Sequence, residues 1–215
     1  MRYQRDFLVD CLVQAGGLIA SLFCSGVMLG KAIAAEHAAT IGASLVYGLT
    51  LIAMFTFSLL NTIVQDPRRQ AVIRLLDHAF IYCLIAGTYT PVCLLVIGGE
   101  QGLRMLLFMW LAAALGVFLR IALHNRYQHA LITLYVLMGW SGMIHADLIA
   151  TRMTTAGLIL LLVGGLLYSC AAPLHRFSRL RYHSAIWHGC VLAAAGCHYA
   201  AILSLIDLPA VGFPS

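Results

Sequence analysis

The chain has 215 residues, 62% of them hydrophobic and 10% charged, with a mean hydropathy of +0.92. Soluble domains run near half apolar and a quarter charged, so these proportions argue against a water-soluble bundle and for a chain that lipid surrounds. The net charge of +5 is spread over single and paired Lys and Arg between apolar runs, which excludes a basic face built for nucleic acid.

In chain order, the first ten residues carry Arg2, Arg5, Asp6 and Asp10 ahead of an apolar run. That run is long enough to span and lacks a small-x-small cleavage site, so it reads as the first helix of the mature protein and not as a cleaved signal. Apolar segments of spanning length occur at 12–34, 41–64, 75–98, 103–124, 130–150, 155–174 and 185–208. They are apolar all round, without the charged stripe that a soluble helix shows. The connections are too short to separate domains, so residues 1–215 are expected to form a single all-α domain, a bundle of seven transmembrane helices. The seven cysteines include no C-x-x-C pair and lie in or beside apolar runs, which marks them as small packing residues, neither a disulfide framework nor a zinc cage.

The connections also give an orientation. Arg2 and Arg5 precede the first span, Arg68, Arg69 and Arg74 follow the second, Arg120 and Arg126 the fourth, and Arg176, Arg179 and Arg181 the sixth. With seven spans these ten share one side, against Lys31, Arg104 and Arg152 on the other. Lys and Arg concentrate in cytoplasmic loops, so the N-terminus is expected inside and the C-terminus, with Pro209 to Ser215, outside.

Few ionisable groups sit at membrane depth, where they are costly and tend to mark function. His145 and Asp147 near the outer end of the fifth span, and Asp207 near that of the seventh, read as interfacial. The end of span two and the starts of spans three and seven share one depth. That depth holds Ser58, Asn61 and Thr62, then Asp77 and His78, then His183, Ser184 and His188. Metal ligands and proton carriers near the inner leaflet are one reading; a helix cap at Asp77 and an interfacial His183 are the other.

Several segments resemble the bacterial haemolysin III proteins, within the wider progestin and adipoQ receptor (PAQR) superfamily. They are residues 75–91 (LLDHAFIYCLIAGTYTP), 134–140 (LYVLMGW), 164–168 (GGLLY), 185–188 (AIWH) and 197–199 (CHY). The resemblance extends from about residue 12 to residue 205. It implies a seven-helix bundle with the N-terminus inside and a zinc site near the cytoplasmic face. In the family that site uses S-x-x-x-H at the end of helix two, an Asp at the start of helix three and H-x-x-x-H in helix seven. The three His bind zinc and the Asp holds its water.

This chain departs from that pattern. One register puts Phe57 and Asn61 at the Ser and His positions of helix two; a one-residue slip puts Ser58 and Thr62 there. In helix seven Ser184 stands at the first His position, and His183 is about 100° away around the helix. Asp77 and His188 alone match. Amide and hydroxyl oxygens are poor zinc ligands beside imidazole, so zinc is expected to bind weakly or not at all. Any metal would involve His188, with Asp77, His183, Asn61 and Ser184 around it, and Asp77 is the catalytic candidate if the chain is a hydrolase. The expected function is therefore a haemolysin III-type membrane protein of the bacterial inner membrane. It meets lipids, not nucleic acid, and has a non-catalytic role in membrane homeostasis or sensing. The alternatives are a zinc-dependent lipid amide hydrolase with a rearranged site, and a cytolysin.

Overall fold

The computed structural model describes residues 2–123, 128–174 and 182–207, and every element in them is helical. Helix α1 covers Arg2–Ala34, α2 Ala38–Ile63 and α3 Pro67–Pro91, the last running on into a wider π turn at Val92–Ile97. Then follow α4 (Gly99–Leu123), α5 (Gln128–Trp140), a 3₁₀ turn at Ser141–His145, α6 (Ala146–Arg152), α7 (Thr155–Leu174) and α8 (His183–Leu203). Among the described residues, seven stretches are long and apolar enough to cross a membrane, with α3 plus its π turn as the third and α5 through α6 as the fifth. The chain is a multi-pass, all-α membrane bundle. Of the sequence expectations, the limit at His124, Arg126, the cations Arg176, Arg179 and Arg181, and the segment from Leu208 to Ser215 lie outside the described residues.

The polarity of the molecule is inverted relative to a soluble protein. Ile19, Phe23 and Ile144 are 69%, 73% and 75% exposed, while Asp10, Gln14, Ser58 and Arg120 are all but fully enclosed. Lipid satisfies the apolar exterior, and each interior polar group must find a partner inside. Small residues bring the helices close. A Cβ at Gly87 of α3 would stand 2.1 Å from Thr50 of α2, and one at Gly116 of α4 would stand 2.4 Å from the Tyr82 ring of α3. One at Gly164 of α7 would stand 2.3 Å from the His198 ring of α8. Tyr199 of α8 donates to the Cys24 carbonyl of α1 at 3.0 Å, joining the last span to the first.

Three local features depart from the expected spans. First, α1 begins well before residue 12, so Asp10 belongs to the helix and not to a tail. Second, α3 starts cleanly, with Pro67 in the first turn and the Asp66 carboxylate accepting from the Arg69 N–H at 2.8 Å, but it does not end as a regular helix. Pro91 has no N–H to give the preceding turn, and the backbone widens after it. The Gly98 N–H closes the turn on the Cys93 carbonyl at 2.9 Å, and Gly98 and Gly99 take φ of 64° and 53°, which glycine adopts without strain. Third, the fifth span is broken. Gly142 N–H leaves the helix ladder to donate to Tyr89 Oη at 2.8 Å, and Ser141 Oγ turns back to the Met138 carbonyl at 2.7 Å.

Candidate functional site

Three helices each present two polar side chains one turn apart. They are Asp10 and Gln14 on α1, Ser58 and Thr62 on α2, and Ser184 and His188 on α8. Residues i and i+4 share a helix face, so each pair can point at one spot. The spot lies at the end of the bundle that carries the N-terminus, and the pairs interlock there. The Asp10 carboxylate accepts from Ser184 Oγ at 2.8 Å and meets His188 Nδ1 at 2.6 Å. Gln14 Nε2 donates to Thr62 Oγ1 at 2.7 Å and stands 3.1 Å from the same His188 Nδ1. A carboxylate only accepts, so at the shorter distance His188 Nδ1–H donates to Asp10. In the neutral ring Nε2 is then an acceptor, and Ser58 Oγ lies 3.2 Å from it.

A second pair adjoins this cluster. Asn61, on the next residue of the same α2 face, donates through Nδ2 to Asp77 Oδ2 of α3 at 2.9 Å, and its own Oδ1 is buried without a hydrogen-bond partner. His188, Ser58 and Arg120 all stand near enough to act on the Asp77 carboxyl. Arg120 was placed in a connection by the sequence reading. The structure corrects this: it lies in the last turn of α4, 5% exposed and turned inward.

Ser58, Asn61, Thr62, Asp77, Ser184 and His188 share the wall of one cavity of about 480 Å³. That volume falls within the usual range for small-molecule sites, roughly 300–1,000 Å³. The cavity follows α3 from Gln70 to Tyr89, roughly 28 Å at the rise of an α-helix. Its walls beyond the polar end are mostly apolar, including Leu84, Ile85, Val136 and Val191, with Trp140 and Trp187 among them. His183 opens α8 and is not part of this wall. His78 is on the wall, but its Nδ1 bonds the Arg74 carbonyl of its own helix at 2.7 Å.

The donor set does not fit a three-ligand zinc site. Among the described residues, no three His, Cys, Asp or Glu side chains converge to share a metal. At the places where the resemblance implies imidazoles, Asn61 is committed to Asp77 and Ser184 to Asp10. The one imidazole, His188, already has Asp10 on Nδ1.

Sequence reasoning missed Asp10, Gln14 and Arg120. The signal for the first two was an acid and an amide four residues apart, one on each side of the assumed start of span one. Arg120 gave less, since a cation near a span end usually faces headgroups.

Comparison with known proteins follows the whole bundle. Residues 12–199 match the family model described as Haemolysin-III related. The chain is similar to Hemolysin-3 of Bacillus cereus, 29% identical over 202 residues that cover 94% of this chain and 92% of that one. It is also similar to the Hemolysin-3 homolog of Bacillus subtilis (strain 168), 29% identical over 158 residues and 74% of each chain. The human monocyte to macrophage differentiation factor is 32% identical over 166 residues, 73% of this chain and 67% of that one.

Proposed function

The chain belongs to the haemolysin-III related family, and on that premise we propose that it is a lipid-sensing or lipid-homeostasis protein of the bacterial inner membrane. Its cavity holds a single-chain amphiphile, with the polar head at the Asp77–His188 end and the chain against the apolar walls. The observation that carries this reading is the cavity's asymmetry. One elongated space of about 480 Å³ has hydroxyls, amides, a carboxyl and two guanidinium groups at one end and a mostly apolar and aromatic wall along the rest. An apolar slot with a few convergent polar groups is what orients an amphiphile. Zinc hydrolysis is not part of the proposal, because Asn61 and Ser184 are engaged with carboxylates and the described residues at the polar end offer no three-ligand set.

Two of the three tryptophans, Trp140 and Trp187, line the cavity, which supplies a test. A brominated fatty acid added to the purified protein in detergent should quench their fluorescence saturably. Gly165 lies on the same wall, and a Cβ there would stand 3.9 Å from the Trp140 ring, so Gly165→Leu should fill the space and abolish saturable quenching. Quenching that rises linearly with bromolipid, unchanged in that variant, would mean the chain samples only the lipid-facing surface.

A further inference from the structure

The order of atoms from Asp10 to Ser58 has a chemical meaning beyond holding helices together. The Asp10 carboxylate sits on His188 Nδ1, and Ser58 Oγ sits on His188 Nε2, at 2.6 and 3.2 Å. A carboxylate that orients an imidazole, and an imidazole that faces a hydroxyl through its other nitrogen, is the arrangement that activates a serine, recognised by geometry and roles and not by chain order. The geometry points to Ser58 as a nucleophile, His188 as its base and Asp10 as the positioning residue, in a metal-free acyl-transfer site for long-chain carboxylic esters.

Three observations favour this over a purely structural network. Ser58 and His188 are on the cavity wall, whereas Asp10 is behind His188 and off the wall, so the order runs from scaffold to cavity. Asp10 itself is held by Ser184 Oγ, which fixes the carboxylate that fixes the ring. And the wall beside Ser58 carries a donor for a developing oxyanion: Asn61, three residues along the same helix, has a second amide proton besides the one on Asp77.

The reaction needs only the ester and one water. His188 Nε2 takes the Ser58 hydroxyl proton as Oγ bonds to the ester carbonyl carbon. The tetrahedral intermediate collapses with loss of the C–O bond, and the imidazolium returns the proton to the departing alcohol. Water, activated by the same Nε2, then releases the carboxylic acid and restores Ser58. An ester is the class that asks least of a site whose oxyanion donor is a side chain, since an alcohol leaves more readily than an amine. The chain length comes from the cavity, and in this respect the inference rests on the proposed amphiphile site; the serine chemistry does not.

The test is covalent labelling of the full-length protein in detergent, with diisopropyl fluorophosphate and with a long-chain alkyl fluorophosphonate. Ser58 Oγ displaces fluoride from phosphorus, and the site is read by peptide mass spectrometry. Expected is a single label on Ser58, absent from Ser58→Ala and from heat-denatured protein. Asp10→Asn keeps the shape but removes the charge, and should slow labelling by about two orders of magnitude, within the usual range for positioned acid–base catalysis. Ser44→Ala, a buried hydroxyl of α2 away from the cavity, should label like the parent. Folding of each variant is checked by its unfolding temperature. Labelling by the small reagent with no gain from the long chain supports the serine site and removes the amphiphile reading. Saturable bromolipid quenching with no label on Ser58 from either reagent overturns the serine site and leaves the amphiphile reading standing. A label on Ser58 that is indifferent to Asp10→Asn in a folded variant also overturns it.

Discussion

Asp10 joins α1 to α2 and α8 through its buried carboxylate. Three donors point at its carboxylate: the His188 ring at 2.6 Å, Ser184 Oγ–H at 2.8 Å and Thr62 Oγ1–H at 3.5 Å. Removing one partner of a buried polar pair costs more than the pair contributes, because the other is stranded. Asp10→Ala should therefore cost roughly 3 kcal/mol, against about 1 kcal/mol for Ser184→Ala, which removes a donor and leaves the carboxylate its imidazole. Reversible unfolding in mixed micelles measures both, and equal losses would show that Asp10 is not the hub. The same residues decide the metal question. Asn61→His with Ser184→His puts imidazoles beside His188 and should raise zinc content after identical chelator treatment, with the unmutated protein well below one equivalent. A full, chelator-resistant equivalent in the unmutated protein would reverse this. How legible these residues were follows from their setting. His188 and Asp77 stood out because they interrupt apolar runs. Asp10 sat beside two arginines and looked like part of a polar tail, and only its partners 52 or more residues away show otherwise.

At the scale of helices, composition and run length locate the seven spans, because a spanning helix must satisfy every backbone group within itself. The interruptions are set by partners that the sequence does not display. The π turn after Pro91 frees carbonyls, and Arg152 at the end of α6 reaches them, donating from Nη1 to Val96 O at 2.7 Å and Ile97 O at 3.3 Å. By sequence Arg152 was a loop cation; in the structure it ties the fifth span to the third. Hydrogen bonds from a charged donor are worth about 1.5–3 kcal/mol, so Arg152→Met should lower stability by about 2 kcal/mol and Arg152→Lys by less. Close packing gives a second contrast. A Cβ on Gly102 would meet the Cys93 carbonyl at 2.3 Å, backbone that cannot rotate away, whereas one on Gly26 meets nothing within 4 Å. Gly102→Ala should cost about 1–3 kcal/mol and Gly26→Ala should be neutral or stabilising. If both are neutral, the approach of α4 to the π turn is looser than these distances.

For the whole molecule the open quantity is orientation, and the structure sharpens the charge argument for it. Arg120 leaves the set of connecting cations because it lies inside the bundle, so ten becomes nine against three. The three on the far side are all engaged with the protein: Lys31 with Asp207 at 3.0 Å, Arg104 with Glu100, and Arg152 with the π-turn carbonyls. The polar end of the cavity lies at the end of the bundle that carries the N-terminus, so with the N-terminus inside, the Asp10–His188 cluster would face the cytoplasm. A reporter active only outside the cytoplasm, fused after Ser215, should therefore be active, and the same reporter fused in the connection at 64–66 should be silent. Replacing Arg68 and Arg69 by Gln removes two of the nine and should leave the orientation intact, since seven remain against three. A silent C-terminal fusion on a stable, full-length protein would turn the bundle over and open the site to the periplasmic side.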